Sequence, residues 1–571
     1  MTAPHSTAAA DTILSGGNII TMDPARPRAT AMAIRDDLIV AIGSDKEVER
    51  TANAQTVHRS LAGKTVIPGL VDGHAHMDRE GLKKRLPTLA GVRSIKALKE
   101  RLRAIAATRP TGTWIVTMPL GDPPFYWTKP EMFEEGRWPT RHDLDEAVSA
   151  HPLFILPPWG YWPGRVPLHA FANGEALHSV GIDRTTKSPS ALLEIVHDAS
   201  GEPTGMFLEH GRMPLAEFTL FRDAPTFTSQ DRLEALRESM RDYNRVGTTS
   251  IFEGHGVAPE VFEAYRAAYD GGMMSVRAHL VLSPSWGKAS ADDVKALAGS
   301  WLGWLRGRGL GDKWLAASGV YTEIGDDTER LLRAACAPNT GWAGFLYDAT
   351  IPHDAVRALA IEAARNGIRV CGVWQNLLEV FREADRVAPI AGQRWILGHQ
   401  HILDSEKIAL IRDLGIGLTV HPNSHIYKRG SEILQLAGSG RENDVLPIRS
   451  LLAAGIPVAL STDNVPISLF GAIGHSVARI DRLGRPIAPE QAISVEQALH
   501  CATVQGAWLS FEENIKGSLA PGRLADLVIL DDDPTSIAPT SITNIAPLAT
   551  MVGGRFVFER EPRQPTDPAK P

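Results

Sequence analysis

Four side chains, His74, His76, His399 and Asp463, are of the types that hold a divalent metal ion. His74 and His76 close the apolar run V-I-P-G-L-V-D-G-H-A-H with one residue between them. On an extended strand residues i and i+2 share a face, so both imidazoles point to one side. Neutral imidazole is the commonest metal ligand near neutral pH. His399 ends the run I-L-G-H, and Asp463 ends V-A-L-S-T-D. Three imidazoles and a carboxylate are the donor set of Zn2+ or a related ion. Such an ion brings water toward ionisation at neutral pH and polarises a carbonyl. Asp463 would take the water's proton and pass it to a leaving amine, with His399 or His401 as a further donor to the carbonyl oxygen. Each residue alone is equally well a polar group at a loop start. The case rests on their joint placement.

That placement requires a frame of strands. After Val66–His76, strand-like runs recur at Thr248–Glu253, Ser275–Leu282, Trp314–Glu323, Ile368–Val373, Trp395–His399, Gly415–His421 and Pro457–Asp463. Helical segments separate most of them, such as Asp354–Asn366, Ser405–Leu414 and Leu446–Ala454, each followed by a glycine. Eight strands with helical crossovers are the arithmetic of an α/β (β/α)8 barrel, whose active site lies at the C-terminal strand ends. A doubly wound open sheet ranks lower, because no G-x-G-x-x-G follows the first strand. Residues 66–511 are therefore assigned to the barrel. Short strands with Gly turns at both ends of the chain, in 1–65 and 512–562, are expected to close on each other as one β-sandwich. Residues 82–245 interrupt the repeat after the first strand. They are rich in aromatics and prolines (Pro123–Trp127, Pro157–Trp162), and read as an added subdomain, a lid over the barrel mouth, or both. Trp159 is the substrate-facing candidate there. Residues 563–571 are expected to be disordered.

The totals set limits. The chain has 571 residues, net charge −7, 43% hydrophobic and 22% charged residues, an ordinary soluble composition. No basic block suggests nucleic acid, and no apolar run is long enough for a membrane span. Met1–Asp11 lacks the pattern of a signal peptide. Cys336, Cys371 and Cys501 are scattered, which fits a reducing cytoplasm without disulfides. The partner expected is a small-molecule substrate, and the assembly expected is a homodimer.

The chain resembles the amidohydrolase superfamily, and within it the type-3 (YtcJ-like) amidohydrolases, a group that includes N-substituted formamide deformylases. The carriers are Val66–His76, W-P-T-R-H-D-L-D (Trp138–Asp145), E-P-T-G (Glu202–Gly205), V-G-T-T-S (Val246–Ser250), Leu460–Asp463 and G-S-L-A-P-G-R-L-A-D-L-V-I-L (Gly517–Leu530). The resemblance implies a metal-dependent barrel with a flanking sandwich that hydrolyses C–N bonds of amides, cyclic amides or amidines. It makes His74 and His76 first-strand ligands, His399 the sixth-strand histidine and Asp463 the eighth-strand acid.

Two departures stand out. The family's fourth-strand lysine, which can bridge two metals, is replaced by Tyr321 in G-V-Y-T-E, where Glu323 could supply a carboxylate. The fifth-strand histidine is missing from R-V-C-G-V-W-Q-N, where Cys371 is either a thiolate ligand or a core residue, and Gln375 and Asn376 are weaker substitutes. One ion, Zn2+ by preference, is therefore expected rather than two. A site rebuilt from His255, His401, His421 and His425 is a further option, with Tyr321, His401 and His425 as substrate contacts. Beside amide hydrolysis, deamination, another metal-assisted reaction such as C–C cleavage, and a ligand-binding barrel without catalysis stay open.

Overall fold

The computed structural model describes residues 9–123, 125–158, 167–211, 214–225, 227–284, 289–325 and 349–561. Eight parallel strands follow in order around the centre: β1 (Leu70–Asp72), β2 (Thr248–Val257), β3 (Arg277–Leu282), β4 (Leu315–Tyr321), β5 (Val370–Gly372), β6 (Ile396–Gly398), β7 (Gly417–Val420) and β8 (Val458–Leu460). Each pairs with its neighbour in sequence, for example Tyr321 with Cys371 and Cys371 with Ile396. β8 meets β1 through Gly73 N donating to Leu460 O at 3.0 Å, and Asp463 N donating to His74 O at 3.0 Å. The strands are short and buried on both faces, which is why they read as continuous apolar runs rather than alternating ones. Helices such as His353–Asn366 and Ser405–Asp413 pack outside them. The first stops at Gly367, whose φ of +68° suits a residue without Cβ; the second starts at Asp404, whose carboxylate caps Lys407 N at 3.0 Å.

The first strand differs from its expected form. Val66–Asp72 is not one strand but two, with Gly69 between them. Thr65–Pro68 belongs to the sandwich and runs antiparallel to Leu527–Leu530, while β1 begins the barrel. A Cβ at Gly69 would lie 2.2 Å from Thr249 Oγ1, so only glycine lets the chain pass between the two layers there. His74 and His76 consequently lie just past β1, in a turn that leads into the helix Met77–Leu82.

The sandwich combines both ends of the chain. A four-stranded sheet (Leu38–Gly43, Ala31–Arg35, Thr12–Ser15, Val57–Ser60) faces a six-stranded one that runs from Arg555–Glu559 to Arg28–Ala29. Leu14, Ile19, Met32, Val66, Leu527 and Met551 fill the space between them. Arg277 of β3 joins barrel to sandwich, donating to both carboxylate oxygens of the buried Asp526 at 2.8 and 3.0 Å.

The insertion is a substructure with its own five-stranded sheet, ordered Leu193–His197, Pro203–Glu209, Leu168–Ala172, Leu153–Ile155, Ile115–Thr117. Two apolar clusters cover its faces, one around Leu98, Trp127 and Leu144, the other around Phe154, Phe207 and Phe221. Tyr126 and Trp127, from the first aromatic run, are buried in insertion cores. Trp159 and the rest of the second run after Pro158, and the tail after Glu561, lie outside the described residues. Among the described residues no helix is long and apolar enough to cross a membrane.

Candidate metal centre and active site

Histidines and acids reach the C-terminal mouth of the barrel from most of its strands. His74 and His76 follow β1, His255 lies near the end of β2, His399 follows β6, His421 follows β7, and Asp463 comes three residues after β8. His399 (φ +56°) and Asp463 (φ +54°) both adopt left-handed backbone, uncommon for residues with a Cβ. Strain of this kind persists where the surroundings fix it, and it turns both side chains into the mouth.

The imidazoles converge. His74 lies with ring centroids 5.2 Å from His76, 4.9 Å from His399 and 4.9 Å from His421, and His399 stacks on His421 at 4.1 Å. Two sets bring one ligand atom from each member within 4.8 Å of the others: His74, His76 and His255, and His74, His399 and His421. Asp463 Oδ1 lies 3.1 Å from His76 Nε2, with about a quarter of its side chain exposed. Burial lowers the pKa values of His74, His76 and His421 well below the usual range, and their crowding adds to this; His399 is lowered to about 4. All are neutral near pH 7, the form that binds metal. Burial alone would raise Asp463, but the His76 hydrogen bond and the facing imidazoles hold it well below the ordinary carboxylate range.

Whether these residues fit a metal ion can be tested on their hydrogen bonds. Nε2 of His74, His399 and His421 is buried in each case and has no hydrogen-bond partner. Buried polar atoms are normally satisfied, and leaving three unpaired in one cluster is costly. A divalent ion satisfies them together, and the donor set suits Zn2+. The residues fit.

A buried polar frame holds the cluster. Asp72 accepts from His74 N at 3.2 Å, from Thr462 N at 3.0 Å and from the Thr462 hydroxyl, so one carboxylate ties the ends of β1 and β8 together. Burial raises its pKa to about 6, against these hydrogen bonds. Asn464 accepts from His76 N at 3.0 Å and from the Tyr243 hydroxyl, and its amide donates to His76 O. Glu253 accepts from Met77 N at 2.9 Å and the Tyr265 hydroxyl at 2.6 Å, beneath His76.

The structure brings His74, His76, His399 and Asp463 together. Glu323 sits at the edge, 3.5 Å from His255 Nε2; it accepts from the Tyr321 hydroxyl and from Thr350 Oγ1 at 3.4 Å. Tyr321 lies 4.7 Å from the His255 ring. Cys371 does not join the histidine sets. It lies in the apolar core, and burial pushes its thiol up to about 11. His401 and His425 lie 5.1 Å apart, on a cavity of about 510 Å3 that His255, His399, Val373, Trp374 and Gln375 also line. Asp72, Asn464, Glu253 and Trp374 were not singled out from the sequence. Their motif context (D-G-H-A-H, S-T-D-N) carried a signal only for the first two.

Residues 57–558 match the model of the amidohydrolase family. The chain belongs to that family. It is 28% identical to an N-substituted formamide deformylase of Arthrobacter pascens, over 96% of this chain and 98% of the relative. It is 25% identical to the putative amidohydrolase YtcJ of Bacillus subtilis, over 96% and 99%. Among solved structures, an uncharacterized metal-dependent hydrolase from Pyrococcus horikoshii superposes with a TM-score of 0.65 at 19% identity, covering 92% of this chain and 99% of that one. The zinc complex of the atrazine chlorohydrolase TrzN from Arthrobacter aurescens does so at 0.51 and 15%, covering 96% and 95%. These likenesses show the fold. As a member of the amidohydrolase family, the protein is a hydrolase of carbon–nitrogen bonds.

Proposed function

We propose that this amidohydrolase cleaves the C–N bond of a small amide or formamide with an apolar substituent, using one divalent ion, Zn2+ by preference. The observation that carries the reading is the trio of buried, unpartnered imidazole nitrogens of His74, His399 and His421, facing an ionised Asp463. His74, His399 and His421 would hold the ion, with His76 and Asp463 beside it. When bound, it supplies hydroxide at neutral pH and polarises the substrate carbonyl.

The chain's own residues do the rest. The Asp463 carboxylate, partly exposed to the mouth, accepts the proton of the attacking water and returns it to the leaving nitrogen. His76 donates to Asp463 and fixes its orientation. The cavity beside His399, His401 and His425 holds the apolar substituent of the substrate against Val373, Trp374 and Ile402. The formamide-cleaving relative, aligned over nearly its whole length, supports the choice of bond.

The test is a product assay with aryl formamides and aryl amides on metal-loaded enzyme. A released amine plus a carboxylate supports the proposal. Ammonia from ring amines alone would replace amide hydrolysis by deamination, and no turnover of either class would overturn the proposed substrate.

A further inference from the structure

The insertion holds a second cavity, of about 160 Å3, which shares no lining residue with the one beside the histidines. Trp114, Phe154, Phe221 and Phe227 form its aromatic walls. Phe154 and Phe221 stack at 4.2 Å, and Trp114 meets Phe221 edge-on at 6.5 Å, so the slot is firmly shaped. Its volume is that of a space that holds a benzene ring. Arg85, Arg109, Arg222, Asp231 and Glu217 supply the charged part of the lining. Glu217, on the short helix Leu215–Phe218, lines the cavity with a buried Oε2 that has no hydrogen-bond partner. Of the three arginines on the lining, Arg85 pairs through its terminal nitrogens with Glu234 at 2.7 Å and Glu238 at 3.3 Å, while its Nε is buried without a partner. Burial pushes Glu217 up to about 8, which keeps it mainly protonated at neutral pH. A protonated carboxyl sets an O–H donor beside a C=O acceptor. The group that answers both at once is an amide, with its N–H beside its C=O.

We propose that this cavity binds a small monocyclic aromatic amide, its ring in the slot of Trp114, Phe154 and Phe221 and its amide paired with the Glu217 carboxyl. The site is separate from the metal centre and does not depend on the reaction assigned to it. A buried carboxyl oxygen without a partner is a standing cost to the fold, and the ligand relieves it.

Calorimetric titration of phenylacetamide into the full chain tests this, with His74→Ala as the background so that the amide is not consumed. Saturable one-to-one binding is expected in His74→Ala. Adding Glu217→Gln, which keeps a donor beside an acceptor, should leave the affinity within about threefold. Adding Glu217→Leu should weaken it at least tenfold. If the leucine variant does not fold, Phe221→Trp, which fills the slot, should give the same loss. Absence of saturable binding in His74→Ala overturns the proposal, as does unchanged affinity in the leucine or tryptophan variant. Binding retained alongside a native enzyme that hydrolyses nothing would remove the proposed reaction and leave this site standing.

Discussion

At the scale of single residues, the chemistry turns on which side chains carry the proton and which hold the ion. Asp463 is ionised, partly exposed and oriented by His76. Asp463→Asn keeps its shape and removes the base, so kcat should fall by about 100- to 10,000-fold. Near-normal turnover in that variant would rule the role out. His421 offers the clearest view of what the sequence shows and hides. Its place after a strand-like run marks it as one of several extra histidines. Nothing in the linear spacing says that it stacks on His399 and not merely near substrate, because that depends on how β6 and β7 sit side by side. Cys371, which the sequence leaves as a ligand or a core residue, lies in the apolar core, outside both histidine sets.

At the scale of elements, the barrel strands and their order are legible, because short strands buried on both faces stand out as apolar runs between amphipathic helices. The division of the first run was not. Pro68 and Gly69 sit inside an unbroken apolar stretch, and the reason for the break is a partner 180 residues on, Thr249. Gly69→Ala should therefore cost about 1–3 kcal/mol through overpacking against Thr249, read as a lower denaturation midpoint. In the insertion, aromatic density suggested a lid, yet Tyr126 and Trp127 build cores of the subdomain. Glu217 gives that subdomain a pH signature. Its pKa in the folded chain, about 8, exceeds the ordinary carboxyl value of 4.5. Between these values the unfolded chain holds fewer protons than the folded one, so stability falls as pH rises through the window. Denaturant titrations of Glu217→Gln from about pH 5 to 8 should show a shallower fall than the native chain.

At the scale of the whole molecule, the two chain ends close the sandwich, and the sandwich is tied to the barrel by the buried Arg277–Asp526 pair. Removing one partner strands the other charge, so Asp526→Ala should lower stability by about 3–5 kcal/mol while leaving the histidine cluster's residues intact. A change below about 1 kcal/mol would show that the layers hold together without it. The family assignment and the fold agree. Tyr321 stands where the resemblance implies a bridging lysine, the fifth-strand run has no histidine, and His255 and His421 approach His74 from β2 and β7. The most direct measurement is anomalous scattering at the zinc edge from crystals of the metal-loaded protein, with His421→Ala beside it. The account predicts one peak per chain, within bonding distance of His74, His399 and His421 Nε2, and its loss in the variant. Two peaks, a peak at Cys371, or an undiminished peak in His421→Ala would contradict it.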